Sequence, residues 1–323
     1  MAPAVIAKPA VEDASQNSVA YLIRHQTSYQ YSQPVRLSHQ VLRLTPRDLP
    51  WQICTSHSIN IQPTPANVRQ YQDSFGNHVQ AFSLDLDHSS LDVYAESWVA
   101  LRPRQLFVAT PPWEEVAAAM SYRAGQHLTP EESDAASFLF ESSHVRTKRE
   151  FARYASECFT PGLALQDGIY ALMLRIFNEF IFDPSATTVS TPVTEVFANR
   201  RGVCQDFAHF MLSCLRSIGL PARYVSGYLL TQPPPGQPRL IGADASHAWV
   251  SVFCPGHDGQ PGFWIDADPT NGIFPDTAHI TLGWGRDFLD VSPLRGVLIG
   301  GGQQTMKVAV TVLPEDESPG LLF

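Results

Sequence analysis

The sequence predicts an α+β protein: a β-sandwich, then a larger module in which one helix packs on an antiparallel sheet. Three observations carry this expectation. Up to about Pro103, apolar and polar residues alternate. After Arg102 the composition turns to helix formers punctuated by proline. From Cys204 a helical stretch is followed by three strand-like runs.

In the first part, "YLIRHQTSYQYSQPVRLSHQVLRLTPR" mixes β-branched and aromatic residues with polar ones, and "VQAFSLDLDHSSLDVYAESWVAL" alternates as a half-buried strand does. Between them "DSFGNH" has the Gly-Asn chemistry of a hairpin turn. His25 and Tyr29 read as two positions on one strand face rather than as ligands. "PPWEEVAAAM", "PEESDAASFLF" and "TKREFARYASECF" each combine a helix-start signal with good helix formers. "ALQDGIYALMLRIFNEFIF" places Leu165, Ile169, Leu172, Ile176 and Phe180 at helical spacing. The prolines of "TQPPPGQP" predict an exposed loop between two strands. On this reading residues 1–18 are a flexible tail, 19–105 an N-terminal β-sandwich domain, and 106–323 a second, larger domain with a helical lead-in.

Bulk properties narrow the function classes. Of 323 residues, 44% are hydrophobic and 16% charged, enough apolar material for a substantial core. The net charge of -9 argues against a nucleic-acid partner, which would need clustered Lys and Arg. No window approaches the length of a membrane span, and the first residues lack the continuous apolar segment of a secretory signal. Five cysteines, at 54, 158, 204, 214 and 254, include no CxxC pair, which predicts a reduced, cytoplasmic setting.

The stretch with the clearest chemistry is "RGVCQDFAHF". Gly202 permits a tight turn. Phe207, Met211, Cys214, Leu215 and Ile218 then form one helix face, which puts Cys204 in the first helical turn. There the free N–H groups and the helix dipole favour a thiolate and supply donors to an oxyanion. A thiolate also needs a base, and the base an orienting group. His247 opens the strand-like "SHAWVSVF", and Asp268 ends "GFWIDADPTNG", so adjacent antiparallel strands can hold the imidazole between carboxylate and sulfur. Spacing alone leaves this set open, because cysteine and histidine are common in cores.

These segments resemble the bacterial transglutaminase-like proteins that carry an N-terminal β domain. "RRGVCQDFAHF" is similar to the family's Gly-x-Cys-x-x-x-Ala element, "ASHAWVSVF" to its His-Ala-Trp element, and "DADPTNG" to its Asp-Pro-Thr-Asn-Gly element. "LPARYVSGYL", "HITLGWGRDFLDVSPLRG" and, earlier, "HQTSYQYSQPVRLSHQVLRLTPR" and "DSFGNHVQAF" also resemble family segments. The likeness runs from about Ala20 to Val312 and is weakest between Arg104 and Thr147. It implies a papain-like transglutaminase core with Cys204 as nucleophile, His247 as base and then acid, and Asp268 as the group that holds the tautomer. The Cys204 N–H is then a candidate oxyanion donor, and no second donor is identifiable. The chain departs from many relatives at Asp266, where they have glycine. Residues two apart on a strand share a face, so both aspartates face His247 on this reading, with Asp268 preferred for its motif position.

Other residues have plainer readings. His209 faces away from Cys204 as a packing residue; Gln205 and Asp206 serve the helix N-terminus; Cys54, Cys158, Cys214 and Cys254 are small core residues. Trp249 and Trp264 are core or cleft wall, and Asp244, Arg286 and Asp290 are solvated loop charges. Cys204, His209, His247 and Asp268 lack zinc spacing, and neither a calcium loop nor a phosphate-binding loop is present, so no metal and no cofactor are expected. Three functions remain open. They are hydrolysis of an amide, peptide or isopeptide bond in a peptide, protein or small amide substrate; acyl transfer to an amine; and a non-catalytic peptide-binding scaffold. Oligomeric state has no sequence signal.

Overall fold

The computed structural model describes residues 18–104, 109–125, 127–231, 246–256 and 260–317. The N-terminal tail up to residue 17 and nearly all of the proline-rich loop lie outside them.

Five antiparallel strands open the fold: β1 (Val19–Leu42), β2 (Gln52–Gln62), β3 (Val68–Gln72), β4 (His78–Leu84) and β5 (His88–Leu101). Their order is β2-β5-β1-β4-β3. β1 spans the whole assembly. Its first half pairs with β5 and its second half with β4, and the β5 register breaks between Gln30 and Val35, where Pro34 has no N–H to donate. The expected sandwich is therefore one sheet curled on itself around Leu42, Leu44, Phe82, Leu84, Leu91 and Val93. The predicted turn joins β3 to β4, with Asp73 accepting the N–H groups of Phe75 and Asn77. His25 is buried in β1 and bonds the Tyr228 hydroxyl at 2.9 Å, a structural role consistent with its strand assignment.

The helical lead-in follows as α1 (Trp113–Met120), α2 (Pro130–Ala136), α3 (Arg149–Ser156) and α4 (Leu165–Glu179). At α2, Thr129 and Glu132 bond each other's backbone N–H as a capping box. Then come β6 (Ile181–Phe182), α5 (Val193–Asn199), β7 (Arg201–Gly202), α6 (Cys204–Ser217), β8 (Ala222–Leu229), β9 (Ser246–Cys254), β10 (Phe263–Ala267), β11 (His279–Gly285) and α7 (Phe288–Val291). The antiparallel order β10-β9-β8-β11 forms a second sheet. α6 lies on one face of it, packing Phe207, Met211 and Leu215 with Ala248, Val250, Val252 and the apolar side of α4. The sequence predicts one buried face for α6, yet every residue from Asp206 to Arg216 is buried. The polar ones are matched inside: Arg216 donates to the carbonyls of Phe140, Ala222 and Arg286.

The chain ends in β12 (Leu294–Gly300) and β13 (Gln304–Pro314), which return to the first sheet and run along β1. The segment that the sequence assigns to the second module thus finishes inside the first sheet. Pairing between strands so distant in sequence leaves no local signature. The free face of the second sheet, with Tyr228, Ile280 and Leu282, packs on Tyr21, Ile23, Val99, Leu101, Val310 and Val312. Gln52 fixes this joint by bonding both the carbonyl and the N–H of Thr281 at 2.8 Å.

Candidate active site

Two short strands aim the first residue of the site. β6 and β7 pair in parallel, and the Asp183 N–H donates to the Gly202 carbonyl at 2.9 Å, which fixes the approach to α6. The left-handed residue of this approach is Arg200, with φ 53°, and not Gly202. Gly202 is needed for a different reason: a Cβ there would come within 2.5 Å of the Asp206 carboxylate. That carboxylate accepts the Val203 N–H at 2.8 Å and the Thr187 hydroxyl at 2.6 Å. It satisfies one free donor at the helix start and ties down the loop before α5. Burial raises the Asp206 carboxyl above its usual range, against the pull of these hydrogen bonds. Gly202→Ala is expected to cost about 1–3 kcal/mol in urea unfolding by forcing Asp206 out of its place. Alkylation of Cys204 should slow in the same variant, because the helix start moves with it.

Cys204 is half-buried at the first position of α6, and its sulfur is near enough to His247, at the start of β9, to help raise the imidazole pKa. On the other side His247 Nε2 lies 2.7 Å from Asp268 Oδ2. An ionised carboxylate only accepts, so Nε2 carries the proton and Nδ1 is left for the sulfur. Burial disfavours an imidazolium here, but Asp268 and Cys204 override it and raise the His247 pKa to about 10. Asp268 is fully buried. Burial would raise its pKa, yet the hydrogen bonds from His247 and His279 hold it well below the usual carboxylate range. Its other oxygen accepts the N–H groups of Thr270 and Asn271, the tight turn that ends β10.

Asp266 does not share this arrangement. It pairs with Arg104 and accepts the Trp249 indole N–H at 3.0 Å, so it buttresses the ring beside His247 and does not touch the imidazole. Burial would raise its pKa, but Arg104, Ser251, Arg223 and Trp249 hold it low. The side chain that sequence left undecided is therefore resolved by Arg104, a partner from the end of the first module.

His209 turns to the far side of α6. It stacks on His144 at 4.9 Å, packs against Tyr224, and accepts the Phe288 N–H at 3.2 Å. Burial and His144 depress its pKa to about 3, which suits a neutral acceptor. Arg286 and Asp290 form a two-bond ion pair with each other at 2.8 and 3.0 Å. Trp249 is fully buried and Trp264 packs on Phe138 and Arg223. Asp244 lies outside the described residues.

Two residues of the cluster are not singled out by the sequence reading, although both lie in the family-like segments quoted above. Asn271 donates to Asp268 Oδ2 at 2.7 Å, and His279 of β11 approaches the same oxygen at 3.1 Å. His279 reaches it across β8, where Gly227 pairs with both His247 and Thr281; a Cβ on Gly227 would lie 2.1 Å from the Ile280 carbonyl and 2.6 Å from the Trp249 ring, which stands edge-on to His279 at 5.3 Å. Burial lowers the His279 pKa, opposed by Asp268, and keeps it a neutral donor. The donor atoms of His247, Asp268 and His279 lie within 4.8 Å of one another. They are already joined through protons, and a cation there would have to displace the Nε2 protons of both rings.

Residues 21–100 match the bacterial transglutaminase-like N-terminal region, and residues 149–269 match the transglutaminase-like superfamily core. The uncharacterized protein Rv2569c of Mycobacterium tuberculosis is 38% identical over 302 residues, 91% of this chain and 92% of its own. A protein-glutamine gamma-glutamyltransferase of Pseudomonas aeruginosa is 32% identical over 114 residues, 33% of this chain but 16% of its own. A crystal structure of a candidate cysteine protease from Cytophaga hutchinsonii shares the fold, with a TM-score of 0.70 and 17% identity, over 94% of this chain and 93% of that one. Two matched regions in the expected order, on an α+β frame that pairs a cysteine-bearing helix with an antiparallel sheet, place this chain among the bacterial transglutaminase-like proteins.

Proposed function

We propose that the chain is a thiol enzyme that cleaves an amide, peptide or isopeptide bond through a thioester, with Cys204, His247 and Asp268 as its triad. The observation that carries this reading is the imidazole of His247, which lies 2.7 Å from buried Asp268 and near enough to Cys204 for the sulfur to help raise its pKa. With its pKa raised to about 10, His247 is an imidazolium at neutral pH and stands as the partner of the thiolate that attacks. The thiolate attacks the carbonyl carbon, and the developing oxyanion is met by N–H groups at the start of α6. His247 gives its proton to the departing amine as the C–N bond breaks and the thioester forms. Water then attacks the thioester, His247 takes its proton, the acid leaves, and the thiolate is restored. Asp268 keeps the ring in line throughout.

A second reading, transfer of the acyl group to an amine in place of water, is favoured by the similarity to a protein-glutamine gamma-glutamyltransferase over 114 residues. We also place the protein in a reducing compartment, which five unpaired cysteines support. The test has two readouts. Iodoacetamide at neutral pH should alkylate Cys204 at least about tenfold faster than a model thiol, as mass spectrometry of the intact protein would report. A rate equal to the model thiol, with no acyl-enzyme on any peptide amide, returns the protein to the scaffold reading. Adding a primary amine should leave the product a free acid for a hydrolase and convert it to a substituted amide for a transferase.

A further inference from the structure

A cleft of about 950 Å³ opens on the side of the second sheet away from α6, and Arg223 lines it. In β8 this residue sits between Ala222 and Tyr224, which face the α6 core, so its side chain takes the opposite face. Its guanidinium lies 3.8 Å from the ring centre of Trp264 and 3.7 Å from that of Trp284. Arg47 lies 3.6 Å from the Trp284 ring as well. Two guanidinium groups cannot share one face of an indole at such distances, so cations and rings alternate in the stack Trp264, Arg223, Trp284, Arg47.

The other arginines of the cleft have partners. Arg43 pairs with Asp73 at 3.1 Å, Arg286 with Asp290 at 2.8 Å, and Arg47 donates to Asn77 Oδ1 at 2.8 Å. Arg223 is only 8% exposed, its Nε is buried without an acceptor, and no described residue accepts a hydrogen bond from the rest of the group. Asp266 opposes its charge from nearby but does not bond it, being taken by Arg104 and Trp249. Burial pushes the Arg223 pKa down to about 9, so it remains a cation at neutral pH. The indole faces offset part of the cost of burying that charge, yet they use none of its N–H donors.

We infer that this cleft binds a small monocarboxylate with an apolar body, its carboxylate held bidentately by the Arg223 fork. The surroundings select the class. Phe138 packs edge-on against Trp264 and beside Phe75, and together they give the cleft an apolar wall. Glu131 and Asp134 of α2, both exposed, line the same cleft and repel a multiply charged anion. One negative charge on an apolar group suits both features. Because the cleft lies on the opposite face of the sheet from the Cys204 helix, the assignment does not depend on the thiol chemistry.

Phenylacetate is the probe, with phenylacetamide as its uncharged match in shape. Calorimetric titration of the full chain should show phenylacetate binding at one site and phenylacetamide at least about tenfold more weakly, the loss expected when a charged hydrogen-bond pair is missing. Inorganic phosphate should bind more weakly than phenylacetate. Arg223→Met should bring acid and amide to the same affinity. Ser133→Phe is the independent check should the buried substitution disturb folding: Ser133 is exposed and lines the cleft, so a ring there should block phenylacetate in a protein that melts as the wild type does. Equal affinity of acid and amide in the wild type, phosphate bound as tightly as phenylacetate, or no binding of phenylacetate up to about 10 mM overturns the inference. So does phenylacetate binding that survives both substitutions, since the site would then lie elsewhere.

Discussion

Cys204→Ala is expected to abolish the thioester and to lower kcat/KM by about 10⁴-fold or more, the scale seen when a nucleophile is removed from a triad that acts as a unit. The substrate for that measurement is whatever amide accumulates when products of the wild type are compared with those of this variant. A second readout needs no substrate. Part of what raises the His247 pKa to about 10 is the Cys204 sulfur, so the imidazole should titrate at lower pH in Cys204→Ala while Asp268 still holds it above a free imidazole. Histidine NMR follows this directly. Cys214→Ala is the control: Cys214 is fully buried among the α6 core residues, and burial keeps its thiol protonated. That substitution should cost stability and leave turnover within a few-fold. Full activity in Cys204→Ala would end the thiol reading altogether.

The parts of this protein that local sequence could reveal are those set by local physics. Alternation identified strands of the curled sheet, and the proline-led "PEESDAASFLF" marked a helix start that the Thr129–Glu132 capping box completes. Cys204 was legible because a helix N-terminus changes the chemistry of whatever residue occupies it. What stayed hidden depends on contacts between distant segments. β12 and β13 lie beyond the runs that alternation marked, and nothing in them says that they pair with β1. His279 comes to Asp268 from β11, across β8 and β9, a meeting invisible until the strands are in register. Gly202 was noticed for turn freedom, whereas its structural requirement is the approach of Asp206, close by in sequence but folded back over it. Likewise the partner of Asp266 is Arg104, far away in the chain. Strand periodicity expects the two aspartates on one side, but it does not say which cation each will meet.

That division of labour between the two aspartates gives the second large effect. Asp268→Ala should lower kcat by about 10³–10⁴-fold, as expected when an imidazole loses the carboxylate that fixes its tautomer. Asp266→Ala should keep turnover per folded molecule within about tenfold but cost about 3–5 kcal/mol of stability, because Arg104 and Arg223 would be left buried without their carboxylate. The opposite ranking in activity would move the orienting role to Asp266. The pH dependence separates them further. His247 has its pKa raised above the unfolded value of 6.5, so the stability it adds is complete below pH 6.5 and fades as pH rises toward 10. Asp268 is shifted the other way: its contribution is complete above the unfolded value of 3.8 and is lost as pH falls through its depressed folded value. The alkaline limb of kcat/KM, which reports loss of the imidazolium in the free enzyme, should therefore lie at about pH 10 in the wild type. In Asp268→Ala it should fall toward that of an ordinary imidazole, and in Asp266→Ala it should stay in place. A limb that does not move in Asp268→Ala would mean that the carboxylate beside His247 does not hold its proton, and the ion pair at the centre of the proposed mechanism would lose its support.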